Sequence, residues 1–95
     1  MLNLNNNQLE ALPEEIGQLH DLLQLRLNNN ELKTLQNVEG LTGLEVLHVK
    51  NNQLTAIPEE VKNLPHLNLL EFENNPIEIA LLSEPESVQF QVKTT

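Results

Sequence analysis

Cysteine, tryptophan and tyrosine are absent from this chain of 95 residues. Without cysteine there can be no disulfide caps and no thiolate zinc site, which suits a reducing compartment. Phe72 and Phe90 are the aromatic residues, too few for a platform on which bases stack. Basic residues are also scarce, since five Lys and Arg stand against fourteen Asp and Glu, a formal net charge of −9. Nucleic-acid affinity rests on Lys and Arg contacts to phosphate, so this balance argues against such a partner. No Asn-x-Ser/Thr acceptor occurs. No basic segment followed by an apolar run opens the chain, and no stretch approaches the roughly 18 apolar residues of a membrane span. These absences lead to the expectation of a soluble, cytoplasmic chain with no membrane partner.

What is present is repetition. Leu44-Glu45-Val46-Leu47-His48-Val49-Lys50-Asn51-Asn52-Gln53-Leu54 is matched upstream by residues 22–32 and, in its second part, by residues 2–9; residues 67–77 match it again. The equivalent leucines Leu2, Leu25, Leu47 and Leu70 stand at steps of 23, 22 and 23 residues. A compact globule of this length leaves much of its surface wet, whereas stacked repeats pool their apolar faces into one core. About three repeats are needed for that, and the chain has three nearly whole ones and part of a fourth.

The shared pattern LxxLxLxxNxL resembles that of the leucine-rich repeat family. The phrase Leu12-Pro13-Glu14-Glu15-Ile16-Gly17-Gln18-Leu19, echoed at Ile57-Pro58-Glu59-Glu60-Val61-Lys62-Asn63-Leu64, resembles the 23-residue repeats of intracellular and bacterial members. The middle repeat departs from it: Gln36 replaces the proline, the segment is one residue shorter, and Leu32, Leu35, Val38, Leu41 and Leu44 recur every three residues. That form resembles a 22-residue class, and a more regular helical turn is expected there. The resemblance implies a right-handed α/β solenoid with a parallel concave sheet and short helices or 3₁₀ turns on the convex side. It also implies a protein-interaction scaffold that binds a protein partner, with no enzymatic activity and no cofactor.

Asn7, Asn30, Asn52 and Asn75 occupy one place in every repeat, just past the strand. In the family this side chain is buried and satisfies backbone groups of the turn, which stacked turns would otherwise bury unpaired. Their neighbours Asn6, Asn29, Asn51 and Asn74 are expected to point outward as turn residues. Proline followed by two glutamates suits the positive end of a short helix.

Residues 1–77 thus form about three and a half repeats, and residues 78–95 are expected to be a capping segment. Its apolar part, Ile77 to Leu82, would close the core; Val88 to Val92 would run extended, with Lys93-Thr94-Thr95 loose. At the other end, Leu2 and Leu4 alternate with Asn3 and Asn5 as in a strand. The first two residues of the repeat are missing and no polar cap precedes it, so an apolar, unpaired edge is expected. Either the chain is part of a longer array, or the edge is covered by another copy or a neighbouring protein.

Outward residues of successive parallel strands line up at about 4.8 Å. Folded this way, the sequence gives three lateral rows: Gln24, Val46, Leu69; then Asn3, Arg26, His48, Glu71; then Asn5, Asn28, Lys50, Glu73. Arg26 and Lys50 are therefore on the concave sheet beside His48, whereas most carboxylates fall on the turns and convex side, where they keep the surface solvated. The candidate partner-binding set is Arg26, His48, Lys50, Val46, Leu69, Glu71 and Glu73. The alternative role for the charged members is cross-strand pairing that fixes register. His48 beside Glu71 could form an acid-base pair or half a metal site, but a catalytic zinc needs about three protein ligands and a pocket. His20 and His66 fall on the convex side, and Ser83 and Ser87 lie in a polar break without a neighbouring base, so neither enzyme nor metal chemistry is expected.

Overall fold

The computed structural model of the protein describes residues 1–77 and the backbone of Gln91–Lys93. Among the described residues, five short strands, β1 (Leu2–Asn3), β2 (Gln24–Arg26), β3 (Val46–His48), β4 (Leu69–Glu71) and β5 (Gln91–Lys93), form one sheet in sequence order. Every adjacent pair is parallel. Consecutive strands that pair in parallel require a crossover after each one, so the chain coils as a solenoid with the sheet on one side.

The strands put Leu25, Leu27, Leu47, Val49, Leu70 and Phe72 inward, all buried. The turns opposite meet them with Leu12, Ile16, Leu32, Leu35, Val38, Leu41, Leu44, Leu54, Ile57, Val61, Leu64 and Leu67, forming one continuous core. Burial of a leucine-sized side chain contributes about 1.5–3 kcal/mol, so the stack is held chiefly by this regular layer. Leu2, Leu4 and Leu9 of the first repeat, and Ile77 after the last, are partly buried against it.

On the convex side, a 3₁₀ turn covers Glu14–Gln18, a second covers Val38–Gly40, and one α-helical turn, α1, covers Glu59–Lys62. The more regular helical turn is thus in the third repeat and not, as expected, in the second. A three-residue recurrence fits the 3.0 residues per turn of a 3₁₀ helix better than the 3.6 of an α-helix. Asn37 immediately before it is left-handed, at φ 69°, which prevents helical continuation upstream. In the third repeat, Glu59 and Glu60 open α1 and Lys62 closes it, in agreement with the helix dipole. The equivalent of Lys62 in the first repeat is Gly17, a poor helix former, and that segment stays 3₁₀.

Gly40 has a packing role. A Cβ there would lie 2.0 Å from the backbone oxygen of Gly17, so the first two convex turns touch backbone to backbone. One further correction concerns the C-terminal end. Lys93 is part of β5 and pairs in register with Glu71, where a loose end was expected. The expected closing segment at 78–90, including Ser83, Ser87 and Phe90, and the last two residues lie outside the described residues.

Candidate functional site: the outward face of the sheet

The sheet register is Gln24, Val46, Leu69 in one row and Arg26, His48, Glu71 in the next, with Asn3 beside Arg26. These are the rows read from the sequence. His48 Nδ1–H donates to Glu71 Oε1 at 2.5 Å, with the two side chains 14% and 13% exposed. Lys50 Nζ lies 3.9 Å from Glu73 Oε2, while Glu73 Oε1 is buried without a hydrogen-bond partner among the described residues. Val46 and Leu69 are half-buried.

Gln24 connects two of these side chains. A guanidinium offers only donors, so the Gln24 amide oxygen faces it. In that orientation the oxygen lies 3.2 Å from Arg26 Nε, 3.3 Å from Arg26 Nη2 and 3.2 Å from His48 Nε2. Both ring nitrogens of His48 therefore face acceptors, and one hydrogen-bonded line runs Arg26, Gln24, His48, Glu71 across three strands. Among the described residues no carboxylate is paired with Arg26.

The asparagines at the edge of this face form three separate ladders, and sequence reasoning identified the first. Asn30 Nδ2 donates to the carbonyls of Leu4, Leu27 and Asn28, and Asn52 Nδ2 to those of Leu27, Val49 and Lys50. Asn75 Nδ2 does the same for Val49, Phe72 and Glu73. Their Oδ1 atoms accept from the N–H groups of Leu9, Leu32 and Leu54 in the preceding repeat. Burial is uneven, however: Asn30 and Asn52 are each 7% exposed, Asn75 is half-buried and Asn7 is exposed. Asn7 Nδ2 reaches the carbonyls of Leu4 and Asn5, but its Oδ1 receives no equivalent donor among the described residues.

The second ladder is on the outside. Asn6, Asn29, Asn51 and Asn74 are all left-handed, with φ between 58° and 62°, a conformation asparagine tolerates better than other side chains. Each amide then donates to the one before it at 2.7–2.8 Å. In the third, Asn5 Oδ1 accepts from Asn28 N–H and Asn28 Oδ1 from Lys50 N–H, both at 2.8 Å. The asparagines at the N-terminal end of the sheet are thus occupied by backbone.

Leu23 is a surface residue that the sequence reading missed. It is 54% exposed, and its carbonyl accepts from the N–H groups of Glu45 and Val46, just before β2. The exposed Glu45 and Asn68 hold the same place in the next repeats. A leucine among polar equivalents was the available signal. His20 and His66 are exposed on the far side, and His20 Nδ1–H donates to the Gly40 carbonyl at 2.9 Å. Among the described residues no three His, Asp or Glu could share a metal ion, and no helix is long and apolar enough to cross a membrane.

Residues 1–19 and 43–64 match the family model described as Leucine Rich Repeat. The fold also matches the solved structure of a leucine-rich-repeat protein of Leptospira interrogans, with a TM-score of 0.85 and 34% identity. The chain is a leucine-rich-repeat solenoid. That match covers 95% of this chain and 24% of the other, so the chain spans about a quarter of the length of that relative. A search of the curated proteins finds no match. Leucine-rich repeats are typically non-enzymatic interaction scaffolds.

Proposed function

We propose that this leucine-rich-repeat chain is a non-catalytic cytoplasmic module that binds a protein partner through the outward face of its sheet. Arg26, His48, Lys50, Val46, Leu69, Glu71 and Glu73 are the contact set. The observation that carries the reading is the charge order across neighbouring strands: basic Arg26 on β2, His48 and Lys50 at β3, then Glu71 and Glu73 at β4. A face polarised along one axis admits a partner in one orientation, since a reversed partner meets like charge. The more exposed Lys50–Glu73 pair contributes only ~0–1 kcal/mol to a fold, so stability alone is a weak reason for that part of the arrangement. Affinity capture from cell extract tests it, comparing the native chain with Arg26→Glu/Lys50→Glu after circular dichroism shows both folded. Loss of a specific protein supports the reading, and capture by both chains alike contradicts it.

A second reading is favoured by Asn7. Among the described residues its Oδ1 receives no backbone donor of the kind that Asn30, Asn52 and Asn75 each receive, and a preceding repeat or a second copy would supply one. In this reading the chain closes a longer array or self-associates through β1. Solution mass against concentration separates the two: a dimer abolished by Leu4→Lys favours edge closure, and a monomer at all concentrations opposes self-association.

A further inference from the structure

The polar groups on the sheet face divide into those already used and those left over. Asn5 and Asn28 accept from backbone, His48 is held by Glu71, Lys50 is near Glu73, and Gln24 faces Arg26 and His48. Arg26 is left with one side of its guanidinium turned to Gln24 and no carboxylate partner among the described residues. The apolar remainder is Val46 and Leu69, side by side at the start of β3 and β4, with the exposed Leu23 just before β2, its carbonyl bonded to the Val46 N–H. Arg26 is two residues along β2 from the Gln24 and Val46 row, so the two features are about 7 Å apart at ~3.3 Å per residue.

From this we infer that the partner meets the sheet through an extended segment carrying an apolar side chain on the Leu23, Val46 and Leu69 patch and, two residues away, an acidic side chain on Arg26. The inference rests on the sheet-face reading above and names the chemistry of what binds there. Alternate residues of an extended chain have the required spacing and point to the same side. A guanidinium binds a carboxylate through a planar fork, and its existing contact with the Gln24 oxygen restricts its rotamers before the partner arrives. Glu45, Glu71 and Glu73 repel an acid elsewhere on the face, which directs it to β2 and sets the segment's register. Leu23 is thereby assigned as a contact residue, in a place where the next two repeats have Glu45 and Asn68.

The test is selection of linear peptides from a random display library on the full chain, followed by binding of the synthetic consensus peptide to variants. The expected consensus has Asp or Glu two positions from a large aliphatic or aromatic residue. Its affinity should fall about tenfold or more in Arg26→Glu, and also in Leu23→Ser. Selection on Arg26→Glu should return Lys or Arg at the acidic position. A consensus without an acid, affinity for Arg26→Glu equal to native, or no enrichment at all overturns the inference. If a peptide lacking the acid is still lost in Val46→Lys, the sheet-face reading survives and this inference alone fails. A consensus peptide indifferent to Arg26→Glu, Leu23→Ser and Val46→Lys removes both.

Discussion

His48 and Glu71, 23 residues apart in sequence, are joined across neighbouring strands by a hydrogen bond of 2.5 Å. The bond is largely shielded from water, unlike the Lys50–Glu73 pair, in which Lys50 is 36% exposed. His48→Ala removes this bond and the contact with Gln24, and should lower stability by about 1–2 kcal/mol. Urea unfolding with an unchanged slope measures this. A loss no larger than the ~0.5 kcal/mol of an exposed ion pair would mean that the bond does little for the fold.

The inner asparagine ladder predicts unequal costs for the same substitution. Asn52→Ala leaves the N–H of Leu32 unpaired in the interior and removes one of two donors from each of the carbonyls of Leu27, Val49 and Lys50, and should cost about 2–3 kcal/mol. Asn7→Ala exposes its groups to water and should cost under about 1 kcal/mol. Equal losses would contradict the argument from burial.

In the outer ladder, Asn51 is left-handed at φ 58°. Asn51→Val should cost about 2 kcal/mol because a β-branched residue is strained there, while Asn51→Gly should be milder, losing mainly the side-chain bonds to Asn29 and Asn74. Thermal unfolding of the two variants checks the order, and a valine variant as stable as the glycine one would exclude strain as the cause.

Gly40→Ala is the packing prediction. The added methyl meets the backbone oxygen of Gly17, which cannot rotate away, so the convex turns must separate at a cost of about 1–3 kcal/mol. Gly17→Ala meets Asn37 O at 3.2 Å and should be the milder of the two. The reverse order in a melting experiment would contradict the contact.

The sheet register could be read from the sequence because repeats of 23, 22 and 23 residues leave no freedom in how Leu25, Leu47 and Leu70 align. This is why His48 could be put beside Glu71, and Lys50 beside Glu73, before any coordinates. The convex side was less legible. Recurrence of Leu35, Val38 and Leu41 shows burial but not the type of turn, and the left-handed Asn37 and the Gly17–Gly40 approach depend on how one repeat leans on another. Leu23 was passed over because it lies within an apolar run, where one exposed leucine looks like its buried neighbours. Asn7 shares its place in the repeat with Asn52 but not its burial, since burial there comes from the neighbouring turn.

The most direct measurement of the central claim is site-specific photocrosslinking in cell extract, with the crosslinking residue at Val46 or Lys50 on the sheet face, or at Glu15 or Glu60 on the convex side. The account predicts one shared protein adduct from the two sheet positions and none from the convex pair. Adducts from Glu15 or Glu60 alone would contradict it, and recognition would then belong to the convex turns.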